Sequence, residues 1–223
     1  MTPAERRQGA DVLVSVLDAL RGAGIPGGGQ ASADFRRTVG VLEAGAAGYV
    51  EGGTFGALLA DGFSAATEAG ATFDGMERVG HVAASFTSAL WVVQWVAQTS
   101  LRLAFVEMCG ILAATTFASR QDVDAAKARL NALFAPAEEF AADQRDATVY
   151  RSLVALHAAA VRDLTERSRQ TPRVITYSLP NRSPALALAN RLYGDGGRAD
   201  ELIAENKVVH PLFVPRQGRA LAV

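Results

Sequence analysis

Cysteine is nearly absent. Cys109, the single one in 223 residues, stands in the apolar stretch FVEMCGIL. No intrachain disulfide can form, and a zinc site would need other ligands. The thiol reads as buried and inert. Histidine is almost as scarce, and His81, His157 and His210 are dispersed with no carboxylate at ligand spacing. HExxH, GxSxG and a Walker loop are all missing. Gly22, Gly24 and Gly27 satisfy GxGxxG formally, but a helical pattern precedes them instead of a strand, Pro26 sits inside, and no βαβ unit follows. A catalytic reading needs a nucleophile, base or metal cluster at workable spacing. The expectation is a non-enzymatic protein with no catalytic residue, metal or cofactor.

Charge of one sign is missing too. With 22 basic and 23 acidic side chains the formal charge is −1, whereas sequence-independent affinity for nucleic acid depends on an excess of Lys and Arg. Nucleic acid is therefore not expected as a direct partner. The distribution is uneven: residues 1–144 carry 10 basic and 16 acidic side chains, and residues 145–223 carry 12 and 7. Such asymmetry suggests ends that meet different partners. The opening MTPAERRQGADVLVSVLDAL lacks a signal-peptide profile, since Glu5 and Asp11 precede the apolar residues and Asp18 interrupts them. Synthesis and assembly in a cytoplasm are expected.

What is present is apolar text with helical spacing. Thr2 before Pro3 reads as an N-cap with proline at the first helical position, followed by Leu13, Leu17 and Leu20 on one face. The next segment, GAGIPGGGQAS, cannot hold a helix and reads as a linker, so residues 1–30 are expected to form an arm. An α-helical body is expected over 31–172. Short helices are predicted from Phe35 to Phe73, where Gly48, Gly52 and Gly56 either let two backbones approach or belong to a glycine-rich loop. Between Arg78 and Arg102 no Asp, Glu, Lys or Arg occurs. That run is long enough to be tested against a membrane span, but His81, Ser85, Gln94, Gln98 and other polar groups favour a long helix buried in a bundle or oligomer, with Trp91 and Trp95 one turn apart as packing residues. No integral membrane span is expected. Ser119, three residues before Asp122, opens a further helix with Val123, Ala126, Leu130 and Leu133 on one face. Tyr150, Leu153, Val154, His157, Val161 and Leu164 form the clearest apolar stripe, with His157 read as a core histidine.

The pattern changes at Pro172. RVITYSL at 173–179 alternates as a strand should. Ser183–Pro184 reads as an N-cap and first turn of a helix that closes at Gly194, a second helix covers about 198–206, and RALAV reads as a final strand. The expected fold is thus mainly α: a bundle-like body of long helices and a small C-terminal α/β module, 173–223, in the order strand, helix, helix, strand. That order, with NRLYGD at 190–195, Ile203, Asn206 and the loop HPLFVPRQG, resembles a LysM module. The glycine–aspartate–threonine opening of sugar-binding members is replaced here by NRSPA.

Three stretches carry a closer likeness: TFASRQDVDAAKARLNAL at 116–133, DLTERSRQTPRVITYSLPNRSPALALANRLYGDGGRADELIAENKVVHPLFVP at 163–215, and RALAV. They resemble the C-terminal half of the Mu-like phage DNA circularisation protein family, components of the contractile tail and baseplate. The family's usual N-terminal domain has no counterpart in residues 1–75, so no activity of that domain is carried over. The resemblance implies a virion structural protein that joins the tail tube to the hub or baseplate through other tail proteins and copies of itself, located in the virion after assembly in the host cytoplasm. Docking by the module would fall to Tyr193, Asp195, Arg198, Asp200 and Glu201 around the inter-helix turn, and to His210, Phe213 and Arg216 in the loop. Leu188, Leu192, Leu202 and Ile203 would form its core. The competing reading is a peptidoglycan-binding or membrane-interacting protein delivered with the phage genome.

Overall fold

In the computed structural model, which describes residues 1–222, the described residues form ten α-helices and one two-stranded antiparallel sheet. Val223, the last residue of the expected terminal strand, lies outside them. The protein is mainly α, with a strand–helix–helix–strand module after the long helices. It divides into two compact units: Met1–Thr115 with Leu130–Ala160, and Thr116–Arg129 with Val161 to the C-terminus. The boundaries expected at 30/31 and 172/173 are not the boundaries of these units.

In the first unit, α1 (Pro3–Arg21) starts at a capping box: Thr2 Oγ1 accepts the Glu5 N–H at 3.2 Å and Glu5 accepts the Thr2 N–H at 2.7 Å. Val12, Leu13, Val16, Leu17 and Leu20 are all buried, in a helix that packs on α3 (Ala46–Glu51), α5 (Phe73–Ala84) and α6 (Trp91–Ala114). The expected arm is therefore core, because each such side chain stabilises by roughly 1.5–3 kcal/mol when buried. The glycine-rich segment after it is tied down at Ala23, whose carbonyl accepts the Thr72 N–H at 2.9 Å. Gly75 lies so close to the Ala23 backbone that a Cβ there would overlap it.

The glycine-laced stretch forms α2 (Gln30–Ala44), α3 and α4 (Phe55–Glu68), short helices as the composition predicts. Gly48 and Gly56 meet open space, so the close-approach alternative for the four-residue glycine spacing does not hold. Nor is the uncharged run one helix. It breaks at 85–90, between α5 and α6. By length and composition α6 could cross a bilayer, yet ten of its residues are buried within the protein, where it packs on α1, α4 and α5.

Two long helices follow, α7 (Arg120–Asp143) and α8 (Ala147–Gln170). Ser119 caps α7 as expected: its hydroxyl donates to Asp122 Oδ2 at 2.7 Å and accepts the Asp122 N–H at 3.3 Å. Val123, Ala126, Leu130 and Leu133 are buried. The α8 stripe is only partly so. Leu153 and Leu164 are buried, while Tyr150 and Val154 are 40% and 36% exposed.

The module comprises β1 (Val174–Ser178), α9 (Ala185–Tyr193), a 3-10 turn at Gly196–Arg198, α10 (Ala199–Glu205) and β2 (Gln217–Leu221). β1 and β2 pair antiparallel from Val174↔Leu221 to Ser178↔Gln217, over a core of Tyr177, Leu179, Leu188, Leu202, Val214 and Ala220. β2 begins two residues before the RALAV segment. Ser183 does not cap α9: its carbonyl accepts the Val214 N–H at 3.1 Å, and the helix begins at Ala185, whose N–H donates to Pro211 O at 2.7 Å. Each strand has a carboxamide on its outer edge. Gln121 Oε1 accepts the Val174 N–H at 2.9 Å and its Nε2 donates to Val174 O at 3.4 Å. Asn206 holds Arg219 on β2 in the same two-way fashion. These clamps satisfy edge groups that would otherwise be open to another chain, and the first explains why Thr116–Arg129 belongs with the module.

Candidate functional site

The residues predicted to dock divide into two groups. Around the inter-helix turn, Arg198 makes a bidentate pair with Glu201, at 2.9 Å from Nε and 2.7 Å from Nη2. Its guanidinium also lies 3.9 Å from the centre of the Tyr193 ring. The Tyr193 hydroxyl accepts the Leu221 N–H at 3.2 Å, which ties the end of α9 to β2. Hydrogen bonding to Arg198 holds the Glu201 carboxyl below its ordinary range, and burial pushes the Tyr193 phenol up. Asp195 Oδ1 accepts the Gly197 N–H at 2.8 Å and so caps the 3-10 turn. Tyr193, Asp195, Arg198 and Glu201 thus hold the module together. Asp200 alone of this group is exposed without such a bond among the described residues.

The loop between α10 and β2 is different. Val209 is 100% exposed, and Leu212 and Phe213 are more than half exposed. Three large apolar side chains in one loop tip, unburied by the rest of the chain, are the kind of surface that marks an interaction site. The tip is held in shape: the Phe213 N–H donates to His210 O at 2.9 Å, the His210 and Phe213 rings lie 5.3 Å apart, and His210 Nδ1 accepts the Leu212 N–H at 3.3 Å. Behind it, Pro211 O is bonded to the start of α9 and Val214 is fully buried. Arg216 is exposed beside the loop, with its backbone carbonyl accepting the Leu179 N–H. Of the predicted residues, His210 and Phe213 lie together on the exposed tip, while Arg216 Nε donates to Leu179 O at 3.5 Å. Val209 and Leu212, which the prediction left out, are the other half of that tip, and VVHPLF at 208–213 is the sequence signal that pointed there.

A second feature lies in the first unit, between α6 and the Leu130–Asp143 part of α7. A cavity of about 480 Å³ is lined by Phe86, Gln94, Gln98, Leu101, Pro136 and Phe140 among others, and one of about 210 Å³ shares Gln94, Gln98 and Phe140 with it. Trp91, 55% exposed, stacks on Trp95 at 5.4 Å at the rim of the smaller one. Arg102 lines it too. That guanidinium is half-buried, its Nε has no hydrogen-bond partner, and burial pulls its pKa down although the charge of Asp146 opposes this. The missing charges of 79–101 were the only sequence sign of this groove.

The remaining reactive groups sit elsewhere. Both nitrogens of His157 are engaged, with Glu138 Oε1 and Asn131 Oδ1 each at 2.8 Å, and its ring stacks on Phe134 at 4.6 Å. Burial pushes the Cys109 thiol up to about 11. Among the described residues, no three His, Cys, Asp or Glu side chains gather as a metal-holding group. No protein-family model matches the chain, and no curated protein matches it in sequence.

Proposed function

We propose that this chain is a non-enzymatic structural protein of a contractile phage-type tail or baseplate, joining the tail tube to the hub by protein–protein contacts. The observation that carries the reading is the loop Val209–Phe213: a small module, braced by its own hydrogen bonds, holds an apolar tip clear of its core. Such a tip suits an anchor that fills a pocket on a neighbour. The Mu-like resemblance of 116–133 and 163–215 supplies the setting, and the strand–helix–helix–strand order agrees with its LysM-like part. The four turn residues engaged in internal bonds support the module as a rigid adaptor, in which the loop makes the contact. The protein would assemble in the host cytoplasm and remain in the particle. Mass spectrometry of purified particles tests this: the chain should be present in fixed proportion to the tube protein, and its absence from intact particles would sink the proposal.

A further inference from the structure

The two units carry opposite charge. Unit one has 9 basic and 15 acidic side chains, and unit two has 13 and 8. Each also presents half of an apolar contact. Unit two offers the tip Val209, Leu212 and Phe213, and unit one offers the groove between α6 and α7. From this complementarity we infer that copies of the chain associate head to tail, the loop tip of one copy entering the α6–α7 groove of the next. The inference rests on the structural role proposed above and names its partner as a second copy.

The chemistry of the two surfaces agrees. The larger cavity, about 480 Å³, falls in the range of about 300–1,000 Å³ that ligand pockets offer, and the smaller one, about 210 Å³, shares lining residues with it. The floor is apolar, with Phe86, Leu101 and Phe140. Gln98 and Arg102 add polar donor side chains to the lining, while Gln94 Nε2 already donates to Ser88 O at 3.1 Å. The incoming loop carries the carbonyls of Val209 and Leu212, free of backbone partners among the described residues. Charge agrees locally as well. Exposed Glu139 and Asp143 flank the groove-lining Phe140 on α7, while exposed Lys207 and Arg216 stand before and after the tip in the chain. Because tip and groove are different surfaces, the contact is heterologous: it leaves a free tip at one end and a free groove at the other, and it propagates into a ring or a filament.

The test is a mixing experiment on the full chain, read by light scattering after size exclusion. Wild type should show a mass that grows with concentration and shrinks as salt screens the charge. Phe213→Asp and Leu212→Asp remove the tip, and Gln98→Trp and Ala132→Trp, both at positions lining the larger cavity, fill the groove. Circular dichroism confirms that each is folded, and the paired variants guard against one that is not. Each alone should be monomeric. A tip variant mixed with a groove variant should give dimers and nothing larger, since one intact tip and one intact groove remain. A wild type that stays monomeric at every concentration, tip variants that keep the wild-type mass, or a loop that inserts instead into liposomes or a different tail protein would overturn the inference. Particle composition bears on the tail role alone and this mixture on the pairing alone, so the two can fail separately.

Discussion

Asn206 holds Arg219 from both sides of its peptide unit: the carboxamide Oδ1 accepts the Arg219 N–H and Nδ2 donates to the Arg219 carbonyl, both at 2.7 Å. The same Nδ2 donates to Leu202 O at 2.8 Å, closing α10. One side chain thus ends a helix and occupies the free edge of β2. Gly218, next in the strand, leaves the room for it, since a Cβ there would run into Asn206 Oδ1 and the Tyr177 hydroxyl.

Replacing the carboxamide with an isosteric apolar group, Asn206→Leu, removes these bonds while keeping the bulk. The expected loss is about 1–2 kcal/mol, given that the freed backbone groups are partly accessible to water. For a unit of this size that corresponds to a fall of roughly 4–8 °C per kcal/mol in melting temperature. Calorimetry checks it, and an unchanged transition would show that the clamp contributes nothing.

Tyr177 makes the opposite case. It is buried in the module core and its hydroxyl has no hydrogen-bond partner, a state that costs about 1–3 kcal/mol for a neutral polar group. Tyr177→Phe should therefore stabilise the module by about 1 kcal/mol, read as a rise in the same transition. A drop would mean that the hydroxyl is engaged in solution.

These features mark how far local sequence reaches. The caps at Thr2 and Ser119 and the face Val123, Ala126, Leu130 and Leu133 were legible because every partner lies within a few turns of one helix. The module order was legible for the same reason. Gln121 on Val174, 53 residues apart, was not, because nothing in either segment names the other. Ser183–Pro184 was misread as a cap because the competing partner, Val214, is far along the chain. At the candidate site, residue type pointed to His210 and Phe213, which lie in the exposed loop, while the charge and aromaticity of Tyr193, Arg198 and Glu201 serve internal bonds. The α6–α7 groove brings together residues from two distant segments, and no periodicity encodes it.

Arg102→Met tests whether that groove is kept for binding rather than stability. Removing a half-buried charge with an unpartnered Nε should raise stability by about 1 kcal/mol. Self-association should weaken in the same variant. Thermal unfolding at high dilution and light scattering at high concentration separate the two effects, and a loss of stability would contradict the account.

Burial places the Cys109 thiol at about 11, against an ordinary value of 9.0. At pH 8 the thiolate is about a hundredfold rarer, which its greater intrinsic reactivity offsets by about tenfold. Native protein should thus react with an aromatic disulfide reagent at least about ten times more slowly than unfolded protein. The sign for stability follows: the raised thiol contributes fully below pH 9.0 and loses that contribution as pH climbs through about 11. Equal rates in folded and unfolded protein would place the thiol at the surface.

The tail role itself is tested most directly by electron cryo-microscopy of intact particles carrying this chain. The account predicts density for the strand–helix–helix–strand module where the tube meets the hub, with Val209, Leu212 and Phe213 at a protein contact. Particles whose tube-to-hub joint is complete without this chain, or a chain recovered only as free protein beside them, would contradict it.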